Sequence, residues 1–472
     1  MKFISFILLS AISTSSTSSS FAEEWFTQQD LEQAVQLRNQ ASGSPTGYNI
    51  VESLTTEVGP RLAGSDADKV AVEWAKKQFS TLGFDKVWSE EVKFPSWQRI
   101  HETGQILSPF PQPVRLTALG NSVSTPAEGL TGEVVHFNDL DELQNADADQ
   151  VKGKIAFISK RMGVYKDGKD YGATVGARVN GASIAASKGA IAVMIRSVGT
   201  DNNRTPHTGV LHYDAQSAKI PAVALSNPDA DLVIRQLNRG LPVSMKLNVE
   251  TKVNPEAVSY NVIGEISGST KPNEIILLGA HLDSWDLGTG AIDDGAGVGI
   301  VMAAAHYIGQ LEKAPKRTIR VVLFANEESG LFGGKAYKKA HLKQLDQHII
   351  GAESDFGAGR IYQLDANVKA DAWPAIEKIS GVLSPLDISL GENHGDGGPD
   401  LSPFQHIGMA TFDLKQDGTH YFDWHHTSND TLDKISPNDL AQNVAAYTVI
   451  AYLSAQMEGD FGKSAPEEEK QK

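Results

Sequence analysis

The sequence EIILLGAHLD occupies residues 274–283 and predicts the centre of the fold. Its apolar run from Ile275 to Ala280 does not alternate with polar residues, which is typical of a β-strand buried on both faces of a parallel sheet. The run stops at two polar side chains, His281 and Asp283. We therefore expect a central strand with His281 and Asp283 at its carboxyl end.

Two segments further along the chain repeat this arrangement. Residues 317–325 and 348–353 are apolar runs of strand length, and residues 294–311 and 331–341 have the pattern of helices. This alternation predicts an α/β fold with a mostly parallel, mixed sheet flanked by helices. Because ligands in such folds bind at the carboxyl ends of the strands, the residues after each strand are candidate functional residues.

Acidic and histidine residues follow each predicted strand. They are His281 and Asp283, Glu327 and Glu328, Asp355, and Asp293 at the start of the helix after the first strand. Each of these taken singly is more typical of an ordinary loop, but buried carboxylates in one region are costly without cations. The chain has no cysteine, so any metal ligands are His, Asp and Glu. This composition favours a hydrolytic metal site over a closed structural one.

A pair of divalent ions requires a carboxylate that bridges them, because shared negative charge offsets the repulsion between the ions. Asp293 is the natural bridge. The terminal ligands are then His281 with Asp355 for one ion, and Glu328 with a histidine at 425 or 426 for the other.

The two remaining acidic residues have different expected roles. Glu327 lies next to a ligand and is free to take the proton of a water held between the ions. Asp283 can hold the imidazole of His281 through its second nitrogen. We therefore expect Glu327 to act as the general base and Asp283 to position a ligand.

These motifs carry a family resemblance. They are His281-x-Asp283, Asp293-Asp294-Gly295, Glu327-Glu328, Asp355 and His426-Thr427-x-x-Asp430-Thr431. The series resembles the co-catalytic dizinc aminopeptidase family of metallopeptidases, which has a zinc-exopeptidase, phosphorylase/hydrolase-like fold. The segments HLDSWD at 281–286, PHTG at 206–209 and DWHH at 423–426 are similar to its carboxypeptidase branch. The resemblance extends from about residue 45 to residue 457.

The resemblance has several implications for the site. It implies two zinc ions per chain, bound by His281, Asp293, Glu328, Asp355 and the histidine of the His-Thr-x-x-Asp motif, with Glu327 as general base. The spacing to Asp430 selects His426 as that ligand. We interpret His425 as a residue that steadies the oxyanion. The resemblance also implies a cis peptide bond between Asp293 and Asp294, and a homodimer.

The chain divides into five predicted segments. Residues 1–22 have the positive start, short apolar run and small residues of a signal peptide, with cleavage expected after Ala22. Residues 23–115 and 251–460 are expected to form the catalytic domain. Residues 116–250 are short β-rich runs between turns, and the resemblance implies that they are an inserted protease-associated domain. Residues 461–472 are predicted to be a disordered tail.

Charge and hydropathy limit the partners. The net charge of −16 argues against binding to nucleic acid. The amino-terminal apolar run is shorter than the roughly 20 residues that span a bilayer, so we expect no membrane partner after signal cleavage. The expected location is the periplasm or the extracellular medium.

The predicted function is that of a zinc-dependent exopeptidase that hydrolyses dipeptides or short peptides with free termini. Two other enzymes remain alternatives: a broad aminopeptidase that releases N-terminal residues, and a glutaminyl cyclase, which zinc near one ion per chain would favour. A non-enzyme alternative is an inactive peptidase-like ectodomain, which would have lost metal ligands.

Overall fold

The computed structural model describes residues 25–405 and 407–462. The predicted signal peptide, residues 1–22, lies outside the described residues, and so do residues 463–472 of the predicted tail. Phe461, the first residue of that tail, is buried, and its ring lies 5.8 Å from that of Phe412. No helix in the described part of the chain has the length and apolar character needed to cross a membrane.

Fourteen strands in the described residues share one hydrogen-bonded sheet. They are β1 (Lys86–Ser108), β2 (Gln112–Val114), β3 (Leu116–Ala118), β4 (Leu130–Phe137), β5 (Ile155–Ile158), β6 (Ala192–Arg196), β7 (Ala222–Leu225), β8 (Ser244–Ile266), β9 (Lys271–His281), β10 (Arg317–Phe324), β11 (His348–Glu353), β12 (Ile361–Asn367), β13 (Ser389–Leu390) and β14 (Ala410–Gln416). Their order is β13-β12-β14-β11-β9-β10-β8-β4-β5-β6-β7-β3, with β1 also paired to β8 and β2 to β1.

The α-helices pack on the faces of this sheet. They are α1 (Gln28–Ser42), α2 (Thr46–Glu57), α3 (Asp66–Thr81), α4 (Leu140–Asn145), α5 (Ala148–Val151), α6 (Asp170–Ser187), α7 (Asn227–Leu237), α8 (Ala296–Gly309), α9 (Phe332–Ala340), α10 (Trp373–Leu383), α11 (Ser402–Gln405), α12 (Tyr421–Trp424) and α13 (Pro437–Gln456). A π-helical turn, Ala291–Gly295, precedes α8.

The centre of the sheet is parallel. Strand β9 pairs in parallel with β10 on one side and with β11 on the other, and β11 pairs in parallel with β14. Antiparallel strands flank this centre, since β8 runs against β10 and β12 runs against β14. The prediction of a mixed α/β sheet flanked by helices is confirmed.

Strand β9 explains why both faces of the sheet are covered. Ile276, Leu278 and Ala280 belong to the large core beneath α8 and α13, while Leu277 packs with Val322 on the opposite face. Alternate residues of a strand point to opposite faces, so an apolar residue at every position requires a hydrophobic layer on each side. The uninterrupted apolar run of the sequence is the direct cause of this three-layer arrangement.

Residues 116–250 form an α/β region of their own at one end of the sheet. Strands β4 to β7 pair in parallel, and the 18-residue helix α6 lies beside them. Strands β1 and β8, of 23 residues each, run antiparallel to one another from the central sheet into this region. The predicted domain boundary at 250/251 falls inside β8.

The buried face of β9 predicts a stability effect. Leu278 is 1% exposed, so Leu278→Ala leaves a cavity in the core and should lower the free energy of unfolding by about 2 to 5 kcal/mol. Leu241 is 49% exposed, and Leu241→Ala should change the free energy of unfolding by less than about 0.5 kcal/mol. Urea denaturation of both variants checks this. Equal effects would contradict the assignment of β9 to the core.

Candidate metal centre

The carboxyl ends of β9, β10 and β11 meet at one edge of the sheet because the three strands are parallel neighbours. His281 is the last residue of β9, Glu327 and Glu328 follow β10, and Asp355 follows β11. Asp293 reaches the same edge from the π-helical turn before α8, and its peptide bond to Asp294 is cis, as the family resemblance implied. The strand ends therefore bring together side chains that are far apart in sequence.

Asp293 lies at the centre of the cluster. Its Oδ1 is 3.1 Å from Nε2 of His281, which is also 3.5 Å from Oδ1 of Asp355. Its Oδ2 is 3.2 Å from Nε2 of His426, which is also 3.0 Å from Oε2 of Glu328. The five side chains thus form two groups that share Asp293.

The two adjacent histidines both reach this cluster. Their rings stack with centroids 3.5 Å apart, and Nε2 of His425 lies 3.7 Å from Oδ2 of Asp293. Only His426 of the two also contacts Glu328 within ion-pair distance among the described residues. His426 has a left-handed backbone with φ 61°, and the ring of His425 lies 5.0 Å from that of Tyr421.

Asp283 connects His281 to the segment that carries Glu327. Its Oδ1 accepts a hydrogen bond from the backbone N–H of Glu327 at 3.1 Å and lies 3.5 Å from Nδ1 of His281. The nearer partner of that Nδ1 is the backbone carbonyl of Asp283, at 3.0 Å. The expected hold on the imidazole is therefore provided by the backbone of Asp283 more closely than by its carboxylate.

Burial raises the pKa values of three of the carboxylates that face the cavity. Burial and the charge of Asp355 raise the pKa of Glu327 well above its ordinary value. Burial also raises the pKa values of Glu328 and Asp355. The pKa of Asp293 is instead well below its ordinary value, because hydrogen bonds from His281 and His426 outweigh its burial.

The histidines respond to the same field in opposite directions. Burial lowers the pKa of His426, but Glu328 and Asp293 outweigh it and raise the pKa to about 9. Burial also opposes the charged form of His281, yet Asp355 and its neighbours hold the pKa well above its ordinary value. Burial and the charge of His426 lower the pKa of His425 well below its ordinary value. Negative charge therefore exceeds positive charge in the cluster, and this excess raises the pKa values of His281 and His426.

Divalent cations would neutralise this excess of negative charge. Glu328 Oε1 and Asp283 Oδ2 are buried and have no hydrogen-bond partner among the described residues. Ligand atoms of His281, Asp293 and Asp355 lie within 4.8 Å of one another, and so do those of Asp293, His425 and His426. Imidazole and carboxylate donors without thiolates are the set that zinc binds in open sites, so the residues present fit that metal.

Asp430 supports the turn that carries Asp293. Its Oδ1 accepts hydrogen bonds from the backbone N–H groups of Ala291 and Ile292, both at 2.7 Å, and its Oδ2 accepts one from Asp293 at 3.3 Å. Burial raises the pKa of Asp430 to about 7. In the sequence, Asp430 indicates only the spacing that selects His426, and no local pattern predicts this supporting role.

Arg61 supports the other side of the same loop, and sequence analysis missed it. Its buried guanidinium donates to the backbone carbonyls of Leu282, Thr289 and Gly290 at 2.5, 2.7 and 2.9 Å. The turn-rich composition around residues 59–64 was the only sequence signal here, and it does not indicate a buried cation.

Residues 116–250 also contact the cluster. The backbone N–H of Thr208 donates to the carbonyl of His426 at 3.0 Å, and Nδ1 of His207 lies 2.7 Å from the carbonyl of His425. A cavity of about 540 Å³ opens here, and its lining includes Tyr171 and Arg178 from α6. Glu327, Glu328, Asp293, Asp355, His425 and His426 also line it. The region thus supplies one wall of the candidate site.

A mixed α/β sheet with a buried cluster of carboxylates and imidazoles at its carboxyl edge defines a metal-dependent hydrolase. Comparison with known proteins agrees with this class. Peptidase family M28 matches residues 261–451. Carboxypeptidase Q of Homo sapiens is 34% identical over 411 residues, which cover 87% of this chain and 85% of that protein. The chain therefore belongs to peptidase family M28 and is a zinc metallopeptidase.

Other relatives extend this comparison. A crystal structure of a peptidase M28 precursor from Shewanella amazonensis has a TM-score of 0.92 and 52% sequence identity, and the match covers 93% of this chain and 99% of that one. Aminopeptidase YwaD of Bacillus subtilis is 27% identical over 448 residues, covering 90% of this chain and 89% of that protein. A zinc aminopeptidase structure from Bacillus subtilis shares the fold, with a TM-score of 0.61 at 24% identity, covering 86% and 94% of the two chains.

The support from Asp430 predicts an effect on metal binding. Asp430→Asn places an amide N–H₂ or a weaker acceptor against three backbone donors, so the turn with Asp293 should lose its fixed position. We expect zinc affinity to fall by about 10- to 100-fold, as measured by competition with a chromogenic chelator. Asp433→Asn is the matched control, because the Asp433 side chain is 70% exposed. Unchanged zinc affinity in Asp430→Asn would contradict the supporting role.

Proposed function

We propose that this chain is a zinc-dependent exopeptidase that hydrolyses dipeptides or short peptides with free termini. The observation that carries the proposal is the position of Asp293 between the pair His281 and Asp355 and the pair Glu328 and His426. This cluster lies on the wall of a cavity of about 540 Å³, a volume suited to small ligands.

Two zinc ions per chain would be held by these side chains. Asp293 would contribute to both ions, His281 and Asp355 to one, and Glu328 and His426 to the other. Bound zinc lowers the pKa of a coordinated water and polarises a carbonyl group. The presence of donors for two ions favours the exopeptidase over a single-zinc glutaminyl cyclase, and the filled ligand positions disfavour an inactive ectodomain.

Glu327 is the proposed general base. Its side chain lines the cavity without serving either ligand group, and burial with the charge of Asp355 raises its pKa well above the ordinary value. A carboxylate in that environment accepts a proton from the attacking water readily and can deliver it to the leaving amine. Asp283 fixes the backbone of Glu327 through its hydrogen bond at 3.1 Å and is a positioning residue in this proposal.

His425 is the proposed oxyanion partner. Burial keeps its pKa well below the ordinary value, so the ring is neutral and carries one N–H at neutral pH. It lines the cavity beside His426 and is 3.7 Å from Asp293. A neutral imidazole N–H at this position can donate to the developing oxyanion without adding a fixed charge to the ground state.

The substrate class follows from the cavity and from the relatives. The relatives carry two kinds of name, carboxypeptidase Q and aminopeptidase, and the chain is 34% identical to the first and 27% identical to the second. We therefore favour small peptides with free termini, with a broad aminopeptidase as the second candidate. Export and a homodimer stay predictions.

Residues 116–250 are proposed to be a protease-associated domain. The contacts of Thr208 with His426 and of His207 with His425 support a role for this region in the site. It would close one side of the cavity and limit the size of the peptide that enters.

Glu327→Gln is the first test. The amide retains the size of the side chain but cannot take a proton, so turnover of a free dipeptide should fall by about 10²- to 10⁴-fold. Zinc content, measured by atomic emission, should stay the same. Removal of metal with a chelator should abolish activity, and added zinc should restore it. Glu312→Gln, at an exposed position, is the control.

The mechanism is wrong if Glu327→Gln keeps its zinc and hydrolyses dipeptides as fast as the wild type.

A panel of free, N-blocked and amidated dipeptides, measured with the wild type, separates a dipeptidase from a broad aminopeptidase. An aminopeptidase tolerates a blocked carboxyl terminus, whereas a dipeptidase requires both termini to be free.

The adjacent histidines provide a second test. His426→Ala should lose zinc, because this ring contacts both Asp293 and Glu328. His425→Ala should keep zinc but lose about 10²- to 10³-fold in kcat, as expected for removal of an oxyanion donor. His420→Ala, with a side chain that is 70% exposed, should affect neither quantity. Loss of zinc from His425→Ala with zinc retained in His426→Ala would reverse the two roles.

A further inference from the structure

Arg178 has a charge that no carboxylate in the described residues neutralises at contact distance. It lies on α6, is 5% exposed, and lines the cavity with Glu327 and Glu328. Its Nη2 donates to the hydroxyl of Tyr171 at 2.6 Å. Its Nε is buried and has no hydrogen-bond partner among the described residues. Burial of a guanidinium that lacks an acceptor costs free energy, and this cost favours binding of an anion.

Other largely buried arginines have the acceptors that Arg178 lacks. Arg99, Arg196, Arg317 and Arg320 each contact a carboxylate at 2.5 to 3.0 Å. Arg61 instead donates to four backbone carbonyls. These contacts satisfy the guanidinium inside the protein, whereas Arg178 lines the cavity and its buried Nε has no partner among the described residues.

His426 does not supply the missing acceptor. Its Nδ1 is 3.4 Å from Nη1 of Arg178 and 3.3 Å from the carbonyl of Thr208. With Nε2 directed at Glu328 and Asp293 as a proposed ligand, Nδ1 carries the ring proton, which the carbonyl of Thr208 accepts. Nδ1 then cannot accept a hydrogen bond from Arg178, and the hydroxyl of Tyr171 is the one acceptor that the guanidinium retains in the described part of the chain.

Gly209 makes room for the guanidinium at this position. A Cβ at residue 209 would lie 2.4 to 2.7 Å from Nη1, Cζ and Nε of Arg178, and the φ of Gly209 is 128°. The segment PHTG at 206–209 therefore packs its backbone directly on the guanidinium while it also contacts the His425–His426 loop. The position of Arg178 is fixed by the fold and does not depend on a bound ligand.

We infer that Arg178 binds a carboxylate of the substrate, which the planar guanidinium can receive through two parallel hydrogen bonds. The inference rests on the proposed exopeptidase function and names a residue that selects its substrates. A peptide with a free carboxyl terminus supplies this group, and so does an acidic side chain near the scissile bond. The anion lies next to His426, so its binding places the substrate against the proposed metal centre.

Three alanyl substrates distinguish the source of the carboxylate. Alanyl-alanine has a free main-chain carboxylate, alanyl-alanine amide has none, and alanyl-glutamate amide has only a side-chain carboxylate. Arg178→Met should weaken the peptide whose carboxylate it binds by about 10- to 100-fold and alanyl-alanine amide by less than about twofold, measured as kcat/KM for a peptide that is hydrolysed and as the inhibition constant for one that is not. Arg178→Lys should retain part of the affinity for the carboxylate, because lysine keeps the positive charge but lacks the two parallel donors of the guanidinium.

Further measurements keep the test independent of folding and turnover. Zinc content should be unchanged in Arg178→Met, and, if alanyl-alanine shows the greater loss, inhibition by alanine should weaken relative to inhibition by alaninamide. Tyr171→Phe removes the hydroxyl that holds the guanidinium and should give a smaller effect in the same direction. Arg235→Met, at an exposed arginine of α7, should leave every substrate unchanged.

The outcomes separate the two proposals. A greater loss on alanyl-alanine assigns the main-chain carboxylate to Arg178, and a greater loss on alanyl-glutamate amide assigns the side chain; both support the inference. An equal loss on all three substrates, or no loss on either carboxylate substrate, overturns it and leaves the exopeptidase proposal intact. Failure of the zinc-loaded wild type to hydrolyse any peptide instead removes the proposed function.

Discussion

The carboxylate of Asp430 is the contact on which the arrangement of the candidate site depends. It accepts hydrogen bonds from three consecutive backbone N–H groups of the turn before α8, and it lies in the loop that follows His425 and His426. One buried side chain therefore fixes the distance between Asp293 and both histidines. Because a buried carboxylate is stable only when its oxygens are satisfied, the loop and the turn hold each other in place.

The parallel strands bring the other acidic residues of the site together. β9, β10 and β11 end at one edge, so each strand presents its next residues to the same space. The result is a concentration of negative charge that raises the pKa values of Glu327, Glu328 and Asp355. Protonation of these carboxylates or binding of cations relieves the repulsion within the cluster. The hydrophobic core on both sides of the strands supplies the rigidity that keeps these like charges together.

The sequence predicted the central strands well because their apolar runs are uninterrupted and short, and the polar residues at their ends were correctly expected at one edge. The start of α8 was less accurate. A helix was expected from residue 294, but α8 begins at Ala296, after a π-helical turn that Asp430 holds from far along the chain.

Long-range contacts explain why other residues of the site were not predicted from the sequence. Arg61 binds carbonyls more than 220 residues away, which no local pattern encodes. Helix α6 lies in a segment rich in Ala and Gly, with little contrast between its faces, so its residues were expected to belong to a β-rich module. The wall of the cavity that α6 forms was therefore outside the predicted site.

Strands β1 and β8 make residues 116–250 continuous with the central sheet. Their pairing runs from Lys86 opposite Glu265 to Ser108 opposite Ser244. It has three register shifts, which lie between Phe94 and Ser96, Arg99 and His101, and Ile106 and Ser108. A region that begins after β1 and ends inside β8 cannot be exchanged by recombination as a self-contained unit. A replacement would have to keep residues 244–250 paired with residues 101–108 of β1 in the same register, so this region can vary more freely in its loops and helices.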